Sequence, residues 1–197
     1  KLAPGDAVWY DVNGDGIIDT HDQVKLGNSI PKWMGGFNTS ASWKGLTLFA
    51  RFDYALGYKK WNSGYQYFMG ITSGSFNVPE LAKKTWTEDN PTAGLPVLMT
   101  NDTNFKKNYT RNTSLFWENA AYLCAREISL SYDLPSQWTK KAMMEKVTVT
   151  LTGQNLFYVT SNNLYTPEYD SKNNTKDDGK GGYALPKTVL MGIKVVF

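Results

Sequence analysis

The most constraining feature of this chain is a two-residue hydrophobic period carried through long segments. In 46–57 the positions Leu46, Leu48, Ala50, Phe52, Tyr54 and Leu56 form one apolar set, and Thr47, Arg51 and Asp53 lie between them. Val147, Val149, Leu151 and Phe157 alternate with Lys146, Thr148, Thr150, Thr152 and Gln154. Val189, Met191, Ile193, Val195 and Phe197 alternate with Thr188, Gly192 and Lys194. Weaker alternation runs through 34–44 (Phe37, Ala41, Trp43) and 121–134 (Tyr122, Ile128, Leu130, Tyr132, Leu134). Together these predict five strands of about 11 to 14 residues, roughly twice the usual globular length.

The connections alternate in length. Lys44-Gly45 is a tight hairpin, about 60 residues follow at 59–120, a short link spans 135–145, and nearly 30 residues fill 160–187. Short turns therefore gather at one end of the sheet and long loops at the other, as in outer-membrane barrels. Placing Phe197 at the short-turn, periplasmic end makes 59–120 and 160–187 extracellular. Trp43, Tyr132 and Phe197 then fall near one rim, and Phe37, Tyr54, Tyr122 and Phe157 near the other. Two aromatic girdles around an aliphatic band suit a bilayer-facing surface; the alternative is that these rings fill the core of a soluble sheet. Arg126 breaks the outward pattern, either by snorkelling to headgroups or through a bulge that turns it inward. Five strands cannot close such a barrel, so a larger sheet is expected.

Composition narrows the field. The 197 residues hold 21 Lys plus Arg against 18 Asp plus Glu, interspersed, with no basic footprint for nucleic acid. One Cys and one His exclude an internal disulfide framework and a zinc site. The mean hydropathy of −0.44 does not exclude a membrane, because alternating strands average out as polar. The start at Lys1 reads as a mature or truncated piece, and the aromatic Phe197 closes the last alternating run.

Several blocks in order carry a family resemblance: Pro4-Gly5-Asp6, Tyr10 to Asp19, Gly27-Asn28 with Pro31-Lys32, Gly36-Phe37-Asn38 and Trp43-Lys44-Gly45. Trp86-Thr87 with Glu88, Asn90 and Pro91, Tyr122-Leu123, Ile128 to Pro135, Gly153 to Phe157 and the aromatic last strand continue it. Over essentially its whole length the chain resembles the C-terminal end of SusC/RagA-family TonB-dependent outer-membrane transporters of Bacteroidota. The resemblance implies an all-β fold, these being about five strands of a 22-stranded antiparallel transmembrane barrel. It also implies an upstream plug and TonB box, a SusD-like lipoprotein lid, outer-membrane localisation and uptake of oligosaccharide or, second, peptide. Cys124 and Ala125 depart from the basic-plus-Leu pair expected after Tyr122-Leu123. The expected organisation is 1–31 as an extracellular loop and 32–197 as barrel strands with their loops. By the same resemblance Val189, Met191, Ile193, Val195 and Phe197 form the signal read by the barrel-assembly machinery.

Two constellations are candidates for binding. Asp11, Asn13, Asp15, the Ile17 carbonyl, Asp19 and Asp22 have the spacing of an EF-hand calcium loop, with Gly16 at the sharp turn and Asp22 where Glu is usual. The alternative is a loop whose side chains cap their own backbone. Trp61, Tyr65, Tyr67 and Trp86, with Phe68 and Trp117, could offer ring faces to cargo sugars; equally they could pack the loops or meet the lid. No enzyme signature is present: His21 lies in the calcium-type loop, and the Gly-rich run from Asp177 to Gly182 lacks the strand-to-helix setting of a phosphate loop. A secreted, calcium-stabilised β-domain that binds carbohydrate is the rival to the transporter.

Overall fold

The computed structural model describes residues 2–70, 77–78, 80–99, 107–162, 164, 166–168, 176–177 and 185–197. Its elements are β1 (Trp33–Trp43), β2 (Leu46–Leu56), β3 (Lys59–Asn62), α1 (Ser63–Gly70), β4 (Trp117–Asn119), β5 (Tyr122–Asp133), α2 (Ser136–Thr139), β6 (Lys146–Gln154), β7 (Tyr158–Thr160), β8 (Lys176–Asp177) and β9 (Thr188–Val196). Short 3-10 turns occupy Thr20–Asp22, Glu80–Lys84, Ser114–Phe116 and Lys140–Ala142. No helix among the described residues is long and apolar enough to cross a membrane.

The chain divides into two units, Lys1–Gly27 with Lys60–Glu118 and Thr175–Gly181, and Asn28–Lys59 with Asn119–Asn174 and Gly182–Phe197. The second unit is the sheet, antiparallel in the order β1-β2-β5-β6-β9, with β7 pairing β5. All five long strands expected from the alternation are there, and their order follows the chain. The β1–β2 hairpin turns through Lys44 (φ 45°) and Gly45 (φ 85°), two positive φ values in succession, as a two-residue hairpin with native twist requires.

The alternating segment from Lys146 onward is not one strand. β6 ends at Gln154, Asn155 takes a left-handed φ of 51°, and pairing to β5 resumes only at Tyr158. Gly153 is needed before this corner, since a Cβ there would lie 2.7 Å from the Leu156 side chain.

The first unit has its own core. Trp61, Met69, Tyr109 and Phe116 are buried together, flanked by Tyr65, Ala82, Leu95, Leu98 and Trp117. The N-terminal segment is pinned to this core: Val97 N–H donates to the Gly5 carbonyl at 2.7 Å and Ala7 N–H to Asn108 Oδ1 at 3.0 Å. Most of the long loop expected at 59–120 thus belongs to one compact unit with Lys1–Gly27.

Candidate functional site

The register of the sheet sorts side chains onto two unlike faces. On one face, rows run across the strands as Trp43–Leu46–Tyr132–Val149–Ile193, Ala41–Leu48–Leu130–Leu151–Met191 and Thr39–Ala50–Ile128–Gly153–Val189. The next row holds Phe37 and Phe52, stacked at 5.1 Å, with Ala125. On the other face run Ser42–Thr47–Ser131–Thr150 and Asn38–Arg51–Glu127–Gln154. Cross-strand hydroxyl bonds knit that face: Ser42 to Thr47 at 2.9 Å, Ser129 to Thr152 at 2.9 Å, Ser131 to Thr150 at 3.0 Å. Such pairs are worth about 0.2–1 kcal/mol each. Apolar residues on this face include Phe49 and Leu190 in its middle and Met34, Ala55 and Val196 toward its ends.

Burial inverts what a soluble sheet shows. In its middle rows the long apolar side chains stand open, with Leu130 42 %, Leu151 50 % and Met191 75 % exposed, so among the described residues no layer covers them; its margins are buried, as at Val147. The hydroxyl face is the self-satisfied one. An apolar face spanning five strands far exceeds what water-exposed surfaces carry without a partner. β1, 11 residues long, carries Trp33 and Trp43 at its two ends on the apolar face. At about 3.4 Å per residue and a tilt of about 40° these rings stand ~25 Å apart along the normal, the height of an outer-membrane apolar band. Trp33 lies one residue before the predicted strand, so the alternation alone did not include it.

Arg126 resolves the break in the pattern. Register shifts between Arg51 and Phe52, which pair Glu127 and Ala125, so Arg126 is the extra residue of a β-bulge. The bulge turns it onto the polar face. There it bonds Asp53 through Nε and Nη2 (2.7 and 2.6 Å), Asn155 at 2.8 Å and Glu168 at 2.9 Å. The parity of β5 changes beyond the bulge. Tyr122 and Cys124, opposite Ala55 and Asp53, therefore lie on the polar face, buried with Ala55, Tyr58, Ala120 and Tyr158. Tyr122 is thus not part of the outer girdle, contrary to the sequence expectation; the inserted residue moved it. The hydroxyls of Tyr58 and Tyr158 donate to the Pro167 carbonyl and to Glu168, fastening the segment after β7 beneath the bulge.

The comparisons agree with this geometry. No family model matches the chain. It is 28% identical over 204 residues to TonB-dependent receptor P26 of Formosa agariphila, covering 98% of this chain and 20% of the relative. A second relative, TonB-dependent receptor P3 of the same organism, is 24% identical over 201 residues, 98% of this chain and 19% of its own length. Among solved structures, the RagAB peptide importer in its 'open-open' state superposes with a TM-score of 0.70 at 29% identity, over 92% of this chain and 19% of that one. The 'closed-closed' state gives 0.66 at 27% identity, over 92% and 20%. The chain is a SusC/RagA-type relative of the TonB-dependent receptors. It spans about a fifth of the length of the relatives it matches.

Within this TonB-dependent-receptor fold the other predicted residues take definite places. In loop 11–22 the carboxylates serve the backbone. Asp11 accepts from Gly14 and Gly16 N–H (2.7 and 2.8 Å), Asn13 from Asp15, and Asp15 from Ile17. Asp19 caps Thr20–Asp22, and Asp22 accepts from Val12 and Asp19 N–H, both at 2.8 Å. These backbone donors, Asp19 first, hold the Asp22 carboxyl below its ordinary value. Gly14 and Gly16 have the positive φ that the sharp turn demands. Among the described residues no group of three or more His, Cys, Asp or Glu gathers so as to hold a metal ion.

Trp61 is not presented to a ligand. It is 8 % exposed, edge-on to Phe116 and Trp117 at 5.8 and 5.6 Å, with Nε1 donating to Gln66. Trp86 covers Gly5 so closely that a Cβ there would sit 2.5 Å from the ring. Both rings pack the loops, because burying an indole in this small body is worth more than exposing it. Tyr65 and Tyr67 are half-buried; burial, then Glu118 and Glu80, push the Tyr65 phenol up. Val189, Met191, Ile193 and Val195 share the apolar face of β9, an outer strand of the sheet, and Phe197 follows it, 87 % exposed. Of the Gly-rich run, Asp178 to Gly182 lies outside the described residues.

Proposed function

We propose that this chain is wall and loops of a TonB-dependent outer-membrane nutrient importer. The observation that supports it is the continuous, uncovered apolar face opposed to a hydroxyl-bonded polar face, in a fold related to TonB-dependent receptors. Lipid covers the first face and the barrel interior adjoins the second. The same uncovered face argues against a secreted carbohydrate-binding domain, which would have to bury it. The proposed partners are TonB, reached through a plug elsewhere in the full protein, and a SusD-like lipoprotein lid.

Cargo is the finer part of the proposal. With Trp61 and Trp86 engaged in packing, Tyr65 and Tyr67 remain as candidate contacts for an oligosaccharide or for the lid. The solved neighbours are named as peptide importers. The test is uptake by cells carrying the full-length protein, or lacking it, on oligosaccharide or peptide as sole source. Growth on either that depends on both the protein and TonB supports import; dependence on neither refutes it.

Calcium in loop 11–22 is a separate proposal resting on the spacing of Asp11, Asn13, Asp15, Ile17, Asp19 and Asp22. The carboxylates do not converge in the present arrangement, so binding would require them to regroup. Calcium should then slow amide exchange at Gly14, Gly16 and Ile17 relative to chelator. Identical exchange in both conditions leaves the loop as a self-capped turn.

A further inference from the structure

The short-turn end of the sheet carries a second exposed constellation beyond the apolar band. The link between β5 and β6 is ordered from within. Thr139 is buried, its hydroxyl donates to the Ser136 and Glu145 carbonyls at 3.3 and 3.4 Å, and Met144 N–H donates back to Thr139 at 3.0 Å. Glu145 N–H donates to the Val196 carbonyl at 2.8 Å, tying the link to the end of β9. From this fixed link Trp138 stands 62 % and Met143 89 % exposed, Met143 in a left-handed φ of 56° that disfavours a side chain.

The same end displays lysines. Lys140 and Lys141 are exposed, and Lys44 is exposed on the adjacent hairpin with Nζ 4.9 Å from the Trp43 ring centroid. Lys146 pairs Asp133 at 2.9 Å, while Lys44, Lys140 and Lys141 make no ion pair among the described residues. Within 133–146 the sequence holds two acidic residues, Asp133 and Glu145, beside Lys140, Lys141 and Lys146. Exposed Trp with unpaired Lys, on the link that directly follows β5 and on the hairpin that holds Trp43, fits a boundary where hydrocarbon gives way to negative charge.

We propose that Trp138, Met143, Lys44, Lys140 and Lys141 form a collar that binds anionic phospholipid headgroups at the short-turn end. The proposal rests on the membrane reading above and adds the headgroup class. Lysines supply the charge attraction, and Trp138 and Met143 enter the interfacial layer.

The test uses the full-length protein in detergent, titrated with phosphatidylglycerol or phosphatidylcholine and read by native mass spectrometry. Each basic side chain at an anionic surface is worth about fivefold in lipid affinity, so K140Q/K141Q should weaken phosphatidylglycerol about 25-fold and phosphatidylcholine less than about twofold. In the unmodified protein, raising salt should erase the preference between the two lipids. Equal affinities in the unmodified protein at low salt, or equal losses for both lipids in the variant, overturn the collar. A protein that stays monodisperse in plain buffer would instead overturn the membrane reading beneath it.

Discussion

Arginine substitutions graded along β5 separate a lipid-facing band from a soluble sheet surface. Tyr132, Leu130 and Ile128 lie in successive rows of the apolar face, starting at the rim that holds Trp43. Two residues advance about 6.8 Å along a strand, or ~5 Å of depth at a tilt of about 40°. Measured from the rim, the three positions sit at about 0, 5 and 10 Å in a band whose midplane lies ~12 Å down. Arginine costs about 0–1 kcal/mol at the interface and about 2–4 kcal/mol at the midplane. Tyr132→Arg should therefore cost under about 1 kcal/mol, Leu130→Arg about 2 and Ile128→Arg about 3. A water-exposed sheet predicts otherwise for Leu130, 42 % exposed, where a surface substitution shifts stability by only about 0.5 kcal/mol. The assay is equilibrium urea unfolding of the full-length protein in vesicles. A flat series, or Leu130→Arg within about 0.5 kcal/mol of the parent, refutes the depth reasoning.

Three further outcomes follow from named contacts. Asp53→Asn leaves Arg126 with one carboxylate fewer on the polar face and should cost about 2 kcal/mol, with faster amide exchange at residues 166 and 168; unchanged exchange there would detach the loop from the bulge. Trp61→Ala should cost about 3–5 kcal/mol in the loop unit, read as lost exchange protection around Tyr109 and Phe116, whereas a purely ligand-contacting Trp61 would leave protection intact. Because its folded-state value is depressed, Asp22 contributes stability above its ordinary value of 3.8 that is lost as pH falls through the lower folded value. Val12 and Asp19 amides should therefore stay protected at pH 5 and lose protection, relative to their intrinsic rates, below about pH 4; a constant protection factor down to pH 2 would contradict the cap.

Much of the sheet could be read from period and loop length because each strand's two faces meet opposite environments. The long strands, their order and the Lys44-Gly45 hairpin are local or nearest-neighbour properties. The bulge at Arg126 is not. An arginine in an apolar position can snorkel or be turned inward, and here the choice is made by Asp53, 73 residues away in sequence, with Asn155 and Glu168. Misplacing that one residue is enough to assign Tyr122 to the wrong face, since the period of a strand is two. The interruption after β6 was written in Gly153 and Asn155, residues that tolerate tight corners. Trp61 could not be placed, because whether an indole packs or is displayed depends on Phe116 and Trp117, more than 50 positions on. The spacing of loop 11–22 admits both calcium and self-capping, because one set of Asp and Asn side chains can serve either.

The most direct test of the central claim is single-cysteine scanning across the middle rows in a Cys124→Ser background of the full-length protein in bilayers. Labels at Leu48, Leu130 and Leu151 should be quenched by nitroxide dissolved in the acyl chains and shielded from water-soluble reagent. Those at Thr47, Ser131 and Thr150 should show the reverse, giving a period of two that runs in phase across β2, β5 and β6. Water access to the leucine positions, or no alternation between the two sets, would contradict a lipid-facing wall.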